Sequence, residues 1–296
     1  MNTNTDDAKV STPKELNTVT IVGVGLISGS FALNLRKKNL AKHFIGVSRT
    51  EASAKKALEL GLVDEMLPLE EAVKKADLIY VAIPVDATIP IVNKILDLIT
   101  DKQIVADAGS TKFALHEEIK NHPMRRRFVL THPMWGTEYS GPEAAVLNAF
   151  VGRASVICNK TETDDDAVRL MENLYKELGM NIVYMNAEDH DIHAAYVSHI
   201  SHITSFALAN TVLEKEKEEE AIFELSGGGF ESTVRLAKSS ASMWVPVFMQ
   251  NKENVLDVLN EHITQLRKFK ASLEKENIQF LTELIDNANK IKKIIK

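Results

Sequence analysis

Several things that would commit a chain to a function are scarce in this one. Cys158 is the only cysteine among 296 residues, which excludes an intrachain disulfide and leaves no thiolate set for a metal cluster. No apolar run approaches the ~20 residues that a bilayer-spanning helix needs; stretches such as Leu78–Pro84 are far shorter. There is no dense Lys/Arg stripe, and the formal net charge is −6, which argues against a nucleic-acid partner. The opening MNTNTDDAKVSTPKELN has neither a basic nor an apolar segment of a signal peptide. It is expected to be a flexible polar tail over residues 1–16, and the cytoplasm is the expected location. No internal repeat is found.

What remains is an ordinary globular composition, 45% apolar and 26% charged, long enough for two domains. From Thr18 onward short apolar runs alternate with helical patterns. TVTIVGVG, HFIGVS, LIYVAIP, QIVADAGS, RFVLTHP, RASVICN and NIVYM read as strands, with helices such as GSFALNLRKKN, EASAKKALELG and DAVRLMENLYKELG between them. LIYVAIP is apolar almost throughout, as a strand buried on both faces should be. The alternation implies βαβ units and a doubly wound, mostly parallel sheet over residues 17–185. After Met185 the strand signal stops. Residues 186–296 read as all-α, with one break at LSGGGFES and a KEKEEE run expected to be a solvated helix end.

The first strand runs into VGVGLISGS. Gly23 and Gly25 fill two slots of the G-x-G-x-x-G dinucleotide fingerprint; Ser28 fills the third, with Gly29 one place late. A strand before the loop and a helix after it are the context that fingerprint requires, and the helix's first N–H groups would face a pyrophosphate. Serine is small enough to approximate the close helix packing that the third glycine normally permits. The bland alternative is a glycine-rich turn with no ligand. At the end of the second strand, Ser48, Arg49 and Thr50 stand where an NAD enzyme carries an acidic residue for the ribose hydroxyls. A hydroxyl and a guanidinium there suit a 2′-phosphate, so NADP is preferred. An Arg49 that stacks on adenine or faces solvent would leave NAD usable.

Four further clusters fall at strand ends or on covering helices: Ser110 in DAGSTK, His132 in THPMWGTEYSG, His199 and His202 in SHISH, and Arg235 in GGGFESTVR. Each has an ordinary reading as well. Ser110 would serve as a helix cap, Lys112 as a surface residue, His132 as a buried histidine bonded to backbone, Arg235 as a surface ion-pair partner, and Trp135 and Trp244 as core or interface. The histidines, with His190 and His193, lack carboxylates or thiolates at ligand spacing, so no metal is expected.

Taken together and in order, VGVGLISGS, VAIPVD, DAGSTK, THPMWGTEYSGPE, EDHDIHAAYVSHISH and SGGGFESTVRLAKSSASMW resemble the prephenate/arogenate dehydrogenase family of tyrosine biosynthesis, from about Val19 onward. The resemblance implies an N-terminal Rossmann-type domain followed by an all-α dimerisation domain, and a homodimer. It also implies oxidative decarboxylation of prephenate, or alternatively of arogenate, with hydride passing to NADP or NAD. His132 corresponds to the catalytic histidine that accepts the ring-hydroxyl proton, and Ser110 to the serine that orients it. Arg235 corresponds to a substrate-carboxylate arginine and His202 to a substrate-contacting histidine. Gly228 falls in the loop lining the pocket, Glu138 at its entrance, and Trp244 at a position that approaches from the partner subunit. Gly23, Gly25, Leu26, Ile27, Ser48, Arg49, Thr50 and Pro84 are the implied cofactor contacts. Departures are Ser28, the Ser48–Arg49 pair and Trp135, which stands where smaller residues or Phe are commoner and would narrow the pocket beside His132. No appended regulatory or mutase domain is expected. A β-hydroxyacid dehydrogenase, which needs a catalytic lysine in the helical half, and a catalytically silent NADP-binding sensor are the rival readings.

Overall fold

The structure is a computed structural model that describes residues 15–217 and 222–294. Of the expected polar tail, residues 1–14 lie outside the described residues and Leu16 opens the first strand; of the KEKEEE run, residues 218–220 lie outside them. The first half runs β1 (Leu16–Val22), α1 (Leu26–Lys37), β2 (Ala41–Val47), α2 (Glu51–Glu59), β3 (Glu65–Met66), α3 (Leu69–Lys75), β4 (Leu78–Val81), α4 (Val85–Leu98), β5 (Ile104–Asp107), α5 (Phe113–Ile119), β6 (Phe128–Pro133), β7 (Ala154–Cys158), α6 (Asp165–Glu177) and β8 (Asn181–Met185). These strands form one eight-stranded sheet in the order β3-β2-β1-β4-β5-β6-β7-β8. Every neighbouring pair is parallel except β6 with β7.

Strand residues alternate between two cores. Leu78 and Tyr80 of β4 pack with Phe31 and Leu35 of α1 and Met171, Leu174 and Tyr175 of α6. Ile79 and Val81 pack on the other face with Val73 of α3, Val92, Ile95 and Leu96 of α4, and Leu115 and Ile119 of α5. This two-sided burial is why the sequence of β4 is apolar at every position. The Phe31 ring stacks on Tyr80 at 4.1 Å between centroids, and truncating so buried an aromatic typically costs ~3–5 kcal/mol.

The second half runs α7 (Ala187–Ala194), one π turn over Ala195–His199, α8 (Ile200–Glu216), α9 (Gly228–Val234), α10 (Ala241–Gln250), α11 (Lys252–Glu274) and α12 (Ile278–Ala288). α7 starts where the Asn186 side chain accepts the Asp189 N–H at 2.7 Å, with Glu188 and Asp189 complementing the helix dipole in its first turn. A small core of Val85, Trp244 and Val247, with Phe206 and Phe248 against it, seats α10 on the start of α4. Among the described residues no helix is long and apolar enough to cross a membrane.

Candidate active site

Strand order reverses between β1 and β4, and open α/β sheets bind ligands in the crevice at such a switch point. Gly23 ends β1 with φ +83°, and a Cβ there would lie 2.4 Å from Ile83 Cγ2 and 2.7 Å from the Ala82 carbonyl oxygen. Only glycine meets both conditions. Gly25, by contrast, has no heavy atom within 4 Å of where a Cβ would sit, so the head of α1 looks onto open space. The first amides of α1, those of Leu26 and Ile27, have no intrahelical carbonyl to bond.

Ser28 does something other than the close packing expected of it. Its Oγ accepts the Gly25 N–H at 3.0 Å and donates to the Gly23 carbonyl, latching the loop. Close packing belongs to Gly29, where a Cβ would stand 2.9 Å from Ala145 Cβ and 3.0 Å from a Leu62 methyl. At the end of β2 the Ser48 hydroxyl is engaged with Thr50: it donates to the Thr50 carbonyl at 3.1 Å and accepts the Thr50 N–H at 3.3 Å. Thr50 in turn caps α2. Arg49 is exposed, and no hydrogen bond or ion pair with another described residue occupies it. Pro84 is exposed at the carboxyl end of β4, just before α4.

His132 stands at the carboxyl end of β6, buried. Its Nδ1 lies 2.8 Å from His190 Nε2, and His190 Nδ1 lies 2.7 Å from the Asp191 carboxylate. Asp191 also accepts the Lys112 N–H at 2.8 Å and the Phe113 N–H at 3.0 Å, capping α5 from α7. The remaining His132 nitrogen, Nε2, has no partner among the described residues, yet it is not sealed from solvent. Burial holds the His132 imidazole well below its ordinary 6.5, with His190, Lys112 and His199 adding to the same effect. The ring is therefore neutral, with a lone pair to offer, across the physiological range.

Lys112 is not a surface residue. It is fully buried and pairs with Asp107, while its Nζ donates to the Thr131 carbonyl at 2.8 Å. Asp107 accepts the Thr131 N–H at 3.1 Å and the Gly109 N–H at 3.0 Å. The buried pair thus ties β5 to the residue before His132. Charges tolerate such burial only when paired and hydrogen-bonded, as these are.

The other expected residues divide. Ser110 is half-buried on the loop after β5 and makes no hydrogen bond to His132; the imidazole is held by His190 instead. Arg235 forms an ion pair with Glu138 at 2.8 Å, bridging the two halves. The Glu138 carboxyl is held below the usual range by its own backbone N–H and then by Arg235. His202 donates from Nδ1 to the Ser198 carbonyl at 3.1 Å and stacks on Trp244 at 3.4 Å between centroids; burial lowers its pKa. Gly228 opens α9, exposed, with nothing within 4 Å of a built Cβ. Trp135 does not narrow the space beside His132: it packs edge-on to Phe150, at 5.6 Å, on the α1 side of the sheet.

Residues absent from the expected set complete the neighbourhood. Gln250 accepts from Thr111 Oγ1 at 2.7 Å and donates to the Val85 carbonyl at 2.8 Å, pinning α10 to the crevice rim. Asn251 donates to the Asp191 carbonyl at 2.7 Å and to His199 Nδ1 at 3.2 Å. His199 is fully buried, and burial lowers its pKa to about 4.

With the geometry described, comparison with known proteins is informative. A family model for the nucleotide-binding domain of prephenate dehydrogenase matches residues 31–184, and one for its dimerization domain matches residues 186–287. The chain is 31% identical to the prephenate dehydrogenase of Bacillus subtilis over 268 residues, covering 90% of this chain and 72% of that one. Among solved structures it is similar to the Aquifex aeolicus prephenate dehydrogenase in complex with hydroxyphenyl propionate and NAD+, with TM-score 0.87 and 30% identity over 96% of this chain and 99% of that one. It is also similar to Synechocystis arogenate dehydrogenase, with TM-score 0.74 and 25% identity over 94% and 100% of the two chains.

Proposed function

The chain belongs to the prephenate dehydrogenase family, and from that premise we propose that it oxidises and decarboxylates prephenate to 4-hydroxyphenylpyruvate, using a nicotinamide cofactor. The observation that carries this reading is a neutral, buried His132 at the carboxyl end of β6 whose Nε2 has no partner among the described residues and is not sealed from solvent. That is the disposition of a general base, and in this substrate the proton to be taken is that of the ring hydroxyl. As His132 takes the proton, the C–O bond becomes a carbonyl; loss of CO2 from the opposite ring carbon then makes the ring aromatic. The nicotinamide, when bound, accepts the hydride from the carbinol carbon. Aromatisation makes the chemistry downhill, so the protein's work is chiefly positioning and polarising.

Arg235 suits a substrate carboxylate in a forked contact, with Glu138 holding its guanidinium at the entrance until substrate arrives. Ser110, His202, Gly228 and Trp244 are assigned to the substrate by the same reading. For the cofactor, the open space at Gly25 and the free amides of Leu26 and Ile27 fit a pyrophosphate, and Pro84 borders the same crevice. The Ser48–Thr50 turn, with no acidic residue and an unpaired Arg49 beside it, supports NADP over NAD. The Aquifex neighbour holds NAD+, so NAD is the competing assignment. A homodimer through the helical half is supported by the large exposed apolar side chains there, Leu225, Leu273, Ile278 and Ile294 among them.

Steady-state reduction of NAD and of NADP with prephenate and with arogenate tests all of this in one set. Prephenate with NADP is expected to be the fastest pair. Faster turnover of arogenate would move the substrate assignment, and faster turnover with NAD would overturn the argument from Arg49. Silence in all four would reject the dehydrogenase reading.

A further inference from the structure

Proton abstraction by His132 requires one particular nitrogen to be bare, and the structure fixes which one from behind. The Asp191 carboxylate already accepts backbone N–H groups on both oxygens, from Lys112 and Phe113. It has only acceptor capacity left, so His190 Nδ1 must donate to it. A neutral His190 then has a bare Nε2, and that atom lies 2.8 Å from His132 Nδ1. His132 Nδ1 must therefore carry the hydrogen, which leaves Nε2 as its lone pair. With both rings neutral no other assignment satisfies both contacts.

We propose that His190 and Asp191 are positioning residues for the reaction: they hold His132 in the Nδ1–H tautomer, present Nε2 as the proton-accepting atom, and take up the charge that arrives there. This rests on His132 being the base. The balance is complete within the three side chains. The substrate O–H bond breaks, its electron pair becomes the carbonyl as hydride departs, and its proton bonds to His132 Nε2. The Nδ1 proton then shifts to His190 Nε2, leaving His132 neutral and an imidazolium on His190 beside the Asp191 carboxylate. That carboxylate stabilises the charge far better than the low-dielectric surroundings of His132 would.

The surroundings hold this chain in place and isolate it. His190 and Asp191 are each 2% exposed, and the Asp191 backbone is held by Asn251. The charged and titratable groups facing His132 are His190 on α7, Lys112 before α5 and His199 on the π turn. Lys112 is matched by Asp107, and its cation donates to that carboxylate and to Thr131 rather than to either imidazole. Asp191 is thus the carboxylate that reaches the imidazole pair directly.

The test uses the full chain labelled with 15N-histidine, whose two-bond 1H–15N spectra separate the tautomers, alongside kcat, KM and cofactor binding. Wild type is expected to show His132 protonated at Nδ1 and bare at Nε2. His190→Ala should lose that pattern and lower kcat about 10⁴-fold, the scale of a lost histidine orienter, with KM within about threefold. His190→Gln, whose amide oxygen can accept from His132 Nδ1, should recover at least about tenfold of that loss. Cofactor affinity and circular dichroism should match wild type, and the His190 variants decide the matter even if Asp191→Asn fails to fold through loss of the α5 cap. An active wild type with the Nε2–H tautomer would overturn the inference alone, as would a His190→Ala variant with wild-type kcat or a loss confined to KM. A wild type silent on both prephenate and arogenate would overturn the reading of His132 as base, and the inference with it.

Discussion

Acidification from pH 6.5 should destabilise this protein through His199 before most of its carboxylates titrate. The His199 ring is fully buried; Asn251 donates to its Nδ1, and its Nε2 has no partner among the described residues. Protonation would add a hydrogen at Nδ1 directly against the Asn251 N–H donors and place a charge where water cannot reach. Burial accordingly lowers its pKa from 6.5 to about 4. At ~1.4 kcal/mol per tenfold, that displacement is worth on the order of 3 kcal/mol. The sign follows from proton counting. Below pH 6.5 the unfolded chain binds a proton at this position and the folded one does not, so stability falls with pH and the loss is complete near pH 4. The assay is urea unfolding of wild type and His199→Phe at intervals from pH 7.5 to 4. The phenyl ring keeps the edge contacts to Trp244 and Phe248 and cannot titrate. At pH 7.5 the variant should be the less stable by about 1–3 kcal/mol, since the buried Asn251 N–H that His199 Nδ1 accepted is left without its acceptor. Between pH 7.5 and pH 4 the difference between them should move in the variant's favour by on the order of 3 kcal/mol. Unfolding energies that run parallel across the range would refute the reasoning, because carboxylate titration is common to both proteins and cancels in their difference.

Other outcomes follow from the same geometry. His132 is held below its ordinary pKa, so kcat/KM should stay level from pH 8 down through 6.5 and fall only below it; an acid limb centred at or above 6.5 would contradict a buried neutral base. Arg49→Ala should raise the KM for NADP by about 10- to 100-fold, the weight of one or two charge-assisted bonds to phosphate, and leave the KM for NAD within about twofold; equal effects on both would remove Arg49 from the 2′-phosphate. Gly23→Ala places a Cβ 2.4 Å from Ile83 Cγ2 at φ +83°, so it should abolish cofactor binding measured by fluorescence titration or fail to fold, whereas Gly25→Ala should fold with wild-type stability and bind cofactor more weakly.

The sheet was legible because burial on two faces leaves a mark on sequence. Leu78 to Val81 are apolar at each position since both sides of β4 are covered. The two-residue strand β3 left no such mark, because Glu65 and Met66 lie half-exposed at the sheet edge. The position of His132 was legible from its motif, but its partner was not: His190 lies 58 positions away, and no spacing rule joins residues that meet only after the sheet has been assembled. Lys112 shows the limit of reading charge as exposure. Its only sequence signal is Asp107 five residues earlier, and that pair is buried where Lys112 Nζ donates to the Thr131 carbonyl of β6. The close packing expected of Ser28 falls to Gly29 for a simpler reason, since which small residue faces Leu62 and Ala145 depends on how α1 is rotated, by about 100° per residue.

The antiparallel pairing of β7 has a consequence for how this gene product can be cut and recombined. β8 runs with β7, so Met185 lies level with Cys158, and Cys158 pairs with Leu130, two residues short of His132. The chain therefore leaves the sheet below the crevice, and the first turn of α7 climbs back alongside β6 to deliver His190 and Asp191 behind His132. A break at residue 185 looks like a clean seam between two modules, but it would strip the first of its imidazole partner and of the cap on α5. Grafting a foreign helical half onto this sheet, or expressing the sheet alone, calls for a junction placed after Asp191.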